Sequence, residues 1–269
     1  MTEQTTSPFR DAYGPWAVVA GASDGTGAEF ARELARRGVN LVLVARRAPL
    51  LDELAAELDV ETRVVPLDLS LDDAAQRLAE ATADLEVGLV VFNAGADDGG
   101  TLFLDQSIDD LRALIARNCT TVMEVSHRFG APMVERGRGG MILVSSGAAW
   151  AGASHVATYG ATKSFDLILA EGLWAEWHER GVDVLGLVLG ATDTPSLRRL
   201  LDRHGGDFGE LADPAEVAVT GLDHLADGPT WSYGFPEPTG AFPLGALPRR
   251  QAVELLSMGS AAMHGTAEG

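Results

Sequence analysis

A single cysteine, Cys119, stands in a chain of 269 residues, which excludes an internal disulfide and any thiolate-bound metal cluster. As a lone thiol it reads as a small core residue rather than a nucleophile. The six histidines are scattered, without the paired spacing of a zinc site, so no metal is expected. Long apolar runs are missing too: nothing reaches the roughly 18 residues of a membrane-spanning helix. The opening MTEQTTSPFRDAYG carries no apolar stretch behind a cationic end. Positive charge is scarce. Against 39 acidic side chains there are 20 basic ones, and the formal net charge of −19 repels phosphate backbones and anionic lipid. Nucleic-acid and membrane partners are therefore not expected, and the chain reads as cytoplasmic.

What is present is a foldable composition. At 46% hydrophobic and 22% charged residues, the chain is too apolar to stay disordered. Its length suits one α/β domain with a large buried core. From Trp16 to about Trp177, apolar β-branched runs alternate with amphipathic helical stretches, the pattern of a parallel sheet covered on both faces. Strands are expected at Trp16–Ala20, Val39–Ala45, TRVVPLDL, LEVGLVVFNAG, MILVSS and VDVLGLVLG, with a short last one at TWSYG. One long helix is expected from about Ser107 to Glu135 and another from Tyr159 to about His178; Asp213 is expected to cap a later one. The expected fold is thus α/β, a single-domain Rossmann-like, doubly wound parallel sheet. Residues 15–194 form its core, 195–212 a substrate lid and 234–269 a C-terminal extension containing an irregular Pro/Gly-rich loop.

Gly21, Gly25 and Gly27 lie between the first strand and first helix, where missing side chains let the backbone turn tightly and bring a pyrophosphate to the helix N-terminus. Ser23, Asp24 and Thr26 share this loop, and Asp24 is placed to cap the helix. Where an NAD enzyme offers an acid to the ribose at the end of the second strand, this chain has Ala45-Arg46-Arg47. A guanidinium pairs with a 2′-phosphate, which favours NADP(H) over NAD(H). Asp68 and Asn93-Ala94-Gly95 follow the third and fourth strands, at the sheet edge where ligands collect.

Tyr159 and Lys163 are four apart at a helix start, so they share a face. A phenol is a poor acid–base catalyst at neutral pH, but a nearby ammonium favours its phenolate. Ser146 ends the preceding strand, thirteen positions earlier, where its hydroxyl can bond the same substrate oxygen.

In order and spacing these motifs resemble the short-chain dehydrogenase/reductase family in its compact single-domain form, over about Trp16 to Thr194. The resemblance implies a tetrad of Asn118, Ser146, Tyr159 and Lys163, with the asparagine holding a water and Lys163 also binding the nicotinamide ribose. It places Asp68 at the adenine, and Gly190, Thr192 and Thr194 near the nicotinamide carboxamide. Two positions depart from the family pattern: Ala20 replaces a threonine before the first glycine, and Leu189-Gly190 replaces Pro-Gly.

Leu197, Leu200 and Leu201 form an apolar stripe that suits a lid over a hydrophobic substrate, and Phe103, Trp150 and His155 are possible pocket walls. The expected activity is NADP(H)-dependent interconversion of a hydrophobic ketone or aldehyde and its alcohol, a steroid-like or polyketide-like ketone among the candidates. Two alternatives stand beside it. Arg198, Arg199 and Arg203 motivate a 3-oxoacyl-thioester reductase, although charges facing water are the better account of the cluster; the other is a non-catalytic NADP(H)-binding sensor. The resemblance also implies a homodimer or homotetramer packed through the two long helices.

Overall fold

The computed structural model describes residues 7–95, 100–206, 209–235 and 247–263. A short helix, α1 (Pro8–Tyr13), precedes β1 (Trp16–Ala20), α2 (Gly25–Arg36), β2 (Asn40–Ala45), α3 (Ala48–Glu57), β3 (Thr62–Pro66), α4 (Ala74–Ala81) and β4 (Val87–Phe92). The second half holds α5 (Ile108–Ile115), α6 (Thr121–Arg136), β5 (Gly139–Ser146), α7 (Ala157–Trp177), β6 (Val182–Leu189), α8 (Pro195–His204), α9 (Pro214–Asp223), β7 (Thr230–Tyr233) and α10 (Arg249–Met263).

The strands form one sheet in the order β3-β2-β1-β4-β5-β6-β7, and every pairing is parallel. Strands such as VGLVVF are buried on both faces, because helices cover both sides and leave no face for polar alternation. Phe30 and Leu34 of α2, Leu51 of α3 and Leu222 of α9 pack on one face. Leu78 of α4, Phe129 and Met133 of α6 and Ala170 of α7 pack on the other. The chain reverses its direction of growth between β1 and β4, so a crevice opens at their carboxyl ends.

Two local features differ from the sequence expectation. The stretch 8–13 is helical, tied down by Tyr13, whose hydroxyl donates to Asp183 Oδ2 at 2.6 Å. The long helix from Ser107 is broken by a π turn at Ala116–Thr120, an insertion that a count of apolar spacing does not register. Asp213 does cap α9, accepting from Ala215 N, and α10 runs on to Met263. Residues 236–246 of the Pro/Gly-rich loop lie outside the described residues.

Candidate active site

The glycine turn is built by close approach. Gly21 has φ +87°, and a Cβ there would lie 2.8 Å from Ala94 N. A Cβ on Gly27 would lie 2.1 Å from Gly21 O, so the β1 exit, the start of α2 and the β4 exit touch through bare backbone. Asp24 occupies the N-cap position but makes no side-chain cap bond, contrary to the expectation above. Its carboxylate instead meets Arg47 at 2.6 Å, and Arg47 also donates to Ser23 Oγ at 2.9 Å. A guanidinium outcompetes a backbone amide for a carboxylate. No side-chain acceptor therefore closes the first turn of α2, the condition in which helix-start amides receive an anion. Thr26 is buried behind the turn.

Arg46 is exposed at the end of β2. Asp68, after β3, accepts from Ser70 N at 2.9 Å and Ser70 Oγ at 2.7 Å. Burial works against its charge, but these bonds and the charges of Arg46 and Arg117 outweigh it and hold the carboxyl below the ordinary carboxylate range. Asn93 N and Ala94 N both donate to Ala20 O, which fixes the β4 exit against β1.

The π turn delivers Asn118 to the same edge. Fully buried, it donates from Nδ2 to Gly95 O at 3.1 Å and Thr162 Oγ1 at 2.9 Å. One face of α7 carries Tyr159, half-buried, and Lys163, which is buried. Lys163 Nζ donates to Val144 O at 2.8 Å and to Asp166 Oδ2 at 3.0 Å. A Cβ on Gly95 would lie 2.8 Å from that Nζ and 3.1 Å from Asn118 Oδ1, so Asn118, Lys163 and the Asn93-Ala94-Gly95 turn converge. Ser146 Oγ accepts from Ala148 N at 3.2 Å, which leaves its proton free to donate.

Asp166 escaped the sequence reading. The signal was there, an acid three residues after Lys163, but such pairs usually face water. Cys119 is half-buried rather than sealed in the core, and burial together with the Asp166 charge pushes its thiol up to about 11, which keeps it inert.

At the β6 end Gly190 abuts Gly234, where a Cβ would lie 2.2 Å from Gly234 O. Thr192 is buried and donates to Gly190 O at 3.1 Å, and Thr194 accepts from Leu197 N as the cap of α8. No residue of α8 is buried, and Leu197, Leu200 and Leu201 are half-buried. Trp150 packs with Phe235 at 4.5 Å between ring centroids and is 5% exposed, so it is a core residue more than a pocket wall. Phe103 is exposed, and His155 has φ +65°. Arg198 is paired with Asp193.

A sequence model of the family described as short chain dehydrogenase matches residues 15–204. The chain belongs to the short-chain dehydrogenase family. It is 36% identical over 230 residues, 84% of this chain and 88% of the other, to a 7beta-hydroxysteroid dehydrogenase of Clostridium sardiniense. It is 35% identical over 179 residues, 64% of this chain and 54% of the other, to a very-long-chain 3-oxoacyl-CoA reductase of Neurospora crassa. Among solved structures, a short-chain dehydrogenase from Sphingobium yanoikuyae in complex with NADPH superposes with a TM-score of 0.71 at 30% identity, covering 78% of this chain and 85% of that one.

As a short-chain dehydrogenase the protein is an oxidoreductase acting on CH–OH and carbonyl groups with a nicotinamide cofactor, which displaces the non-catalytic sensor reading. The residues present fit that cofactor: Gly21 and Gly27 leave no room for a side chain, and the start of α2 lacks a side-chain cap. No helix among the described residues is long and apolar enough to cross a membrane, and no metal-ligand cluster occurs among them.

Proposed function

We propose that this short-chain dehydrogenase interconverts a hydrophobic ketone or aldehyde and its alcohol with NADP(H), using Asn118, Ser146, Tyr159 and Lys163. The observation that carries the reading is the convergence of Asn118, the Gly95 backbone and the ammonium of Lys163, which shares α7 with Tyr159, at the carboxyl edge of β4 and β5. The cofactor, when bound, supplies or accepts the hydride. Tyr159 gives its phenolic proton to the carbonyl oxygen during reduction and takes one back from the alcohol during oxidation. Ser146 donates a hydrogen bond to the same oxygen, and Lys163 stabilises the phenolate by its charge.

Gly21, Ser23, Asp24, Gly25, Thr26 and Gly27 would hold the pyrophosphate side of the cofactor, Asp68 and Asn93-Ala94-Gly95 the adenosine side, and Gly190, Thr192 and Thr194 the nicotinamide. Arg46 and Arg47 support NADP(H), because no acid ends β2. The steroid alcohol named for the Clostridium relative makes bulky, rigid alcohols the first class to test. The half-buried leucines of α8 suit a lid, 195–212, over such an apolar body. We read the chain as one cytoplasmic domain, with 234–269 as a C-terminal extension. The Neurospora relative keeps thioester reduction as the second reading, although Arg198 is already engaged by Asp193.

The test is cofactor turnover across panels of hydroxysteroids, bulky ketones and 3-oxoacyl thioesters. Tyr159→Phe is expected to lower kcat by about 10²–10⁴-fold while cofactor still binds. Turnover unaffected by that change would end the mechanism, and strong preference for thioesters would transfer the assignment to the second reading.

A further inference from the structure

Lys163 is the only lysine among the 20 basic side chains; the rest are arginines. Its ammonium is buried, and two of its three N–H donors go to Val144 O and Asp166 Oδ2. One donor remains, and the Gly95 backbone lies beside the ammonium. Asp166 is itself only 2% exposed, and its Oδ1 has no hydrogen-bond partner among the described residues. A carboxylate in such a wall, half satisfied, costs stability that an apolar side chain of similar size would not. Packing therefore does not account for an acid at this position.

We propose that Asp166 is a positioning residue: it is the buried counter-ion that keeps Lys163 charged and fixes its Nζ beside the β5 edge. A buried ammonium without a counter-ion gives up its proton more readily, and a neutral amine would offer Tyr159 no field. Tyr159, Lys163 and Asp166 follow at i, i+4 and i+7 on one helix face. Along the axis Lys163 stands about 6 Å from Tyr159 and Asp166 about 10 Å, so the lysine is the nearer of the two to Tyr159 along the helix.

The surroundings leave this pair in control. β5 and the 3-10 turn Gly147–Ala149 carry no titratable side chain, and β6 carries only Asp183, which Tyr13 engages at the opposite end of the sheet. From the π turn, Arg117 donates to Asn118 Oδ1, and Cys119 is the titratable group that feels both Lys163 and Asp166. On α5, Asp109, Asp110 and Arg112 are exposed, as are His127 and Arg128 on α6; Glu124 of α6 is half-buried.

The inference rests on Tyr159 as the acid–base group, but its test does not use turnover. Labelled lysine gives one side-chain NMR signal, because Lys163 stands alone. In Asp166→Asn its transition to the neutral position should fall at least about one pH unit lower than in the intact protein, with Asp166→Glu restoring most of the shift. Tyrosinate absorbance supplies the second readout. Of the three tyrosines, burial and then Asp183 push Tyr13 far up, and the Glu216 hydrogen bond pushes Tyr233 up to about 12. The phenolate signal of Tyr159, identified by its loss in Tyr159→Phe, should appear at higher pH in Asp166→Asn than in the parent.

An unmoved lysine titration in Asp166→Asn overturns the proposal, as does a phenolate signal that stays put or appears at lower pH. Should Asp166→Asn fail to fold, the parent protein decides: a lysine signal that titrates below about pH 9 overturns the proposal. If instead Tyr159→Phe retains turnover while the lysine shift is found, the acid–base reading fails and the ion pair stands.

Discussion

Arg47 spends its guanidinium on Asp24 inside the glycine turn, whereas Arg46 is exposed at the neighbouring position. The two arginines thus play different parts in cofactor choice. Arg46→Asp should raise the NADP KM by about tenfold or more, the loss of one charge-assisted contact, and move preference toward NAD. Asp24→Asn should release Arg47 and lower the NADP KM several-fold, an effect that fades at high salt because the pair is partly exposed. Steady-state kinetics with both cofactors checks the two substitutions, and an NADP KM unchanged in both would place the phosphate elsewhere. Tyr159, Lys163 and Ser146 were legible as residues because their chemistry is tied to fixed spacing. Asp166 was not, since an acid three residues from a lysine looks the same in sequence whether the helix face is wet or dry.

α1 shows how an element escapes notice. Six residues are too few for a periodic signal, and its hold on the body comes from Tyr13, which reaches Asp183 far along the chain. Burial, followed by the Asp183 hydrogen bond and charge, raises the Tyr13 hydroxyl above its ordinary value near 10. A raised folded value means that the contribution to stability is whole below about pH 10 and is lost as pH rises beyond it. Urea unfolding should therefore show stability falling more steeply above pH 10 in the parent than in Tyr13→Phe; equal slopes would contradict the assignment. At neutral pH Tyr13→Phe should cost about 1–3 kcal/mol, because Asp183 loses its donor in a part-buried setting. The π turn is the other element-level finding. It places Asn118 at the sheet edge, and the apolar stripe on either side reads as one uninterrupted helix.

Over the whole molecule, two apolar layers enclose a parallel sheet, and Ile142 of β5 is fully buried in its middle. Ile142→Ala should cost about 2–5 kcal/mol, read from the denaturant midpoint, and a loss under about 1 kcal/mol would mean a more yielding core than close packing allows. On the outside, Ile115, Met123 and Ile168 are exposed on α5, α6 and α7, helices that carry the proposed contact between copies. Light scattering is expected to give a dimer or tetramer for the parent and a smaller species for Ile168→Asp. A parent that is monomeric at micromolar concentration would remove the assembly from the proposal.

The sequence by itself determined the parallel α/β architecture, the glycine turn, the absence of an acid after β2 and the tyrosine–lysine helix, because each is written in local spacing or in residue type. Only the tertiary structure decided that Asp24 binds Arg47 rather than its own helix, that Trp150 is core, that the long helix breaks at Asn118, and that Lys163 and Asp166 pair in the interior. Those facts depend on which partners arrive from distant parts of the chain and on how much water they displace, and neither quantity is encoded in the spacing of neighbours.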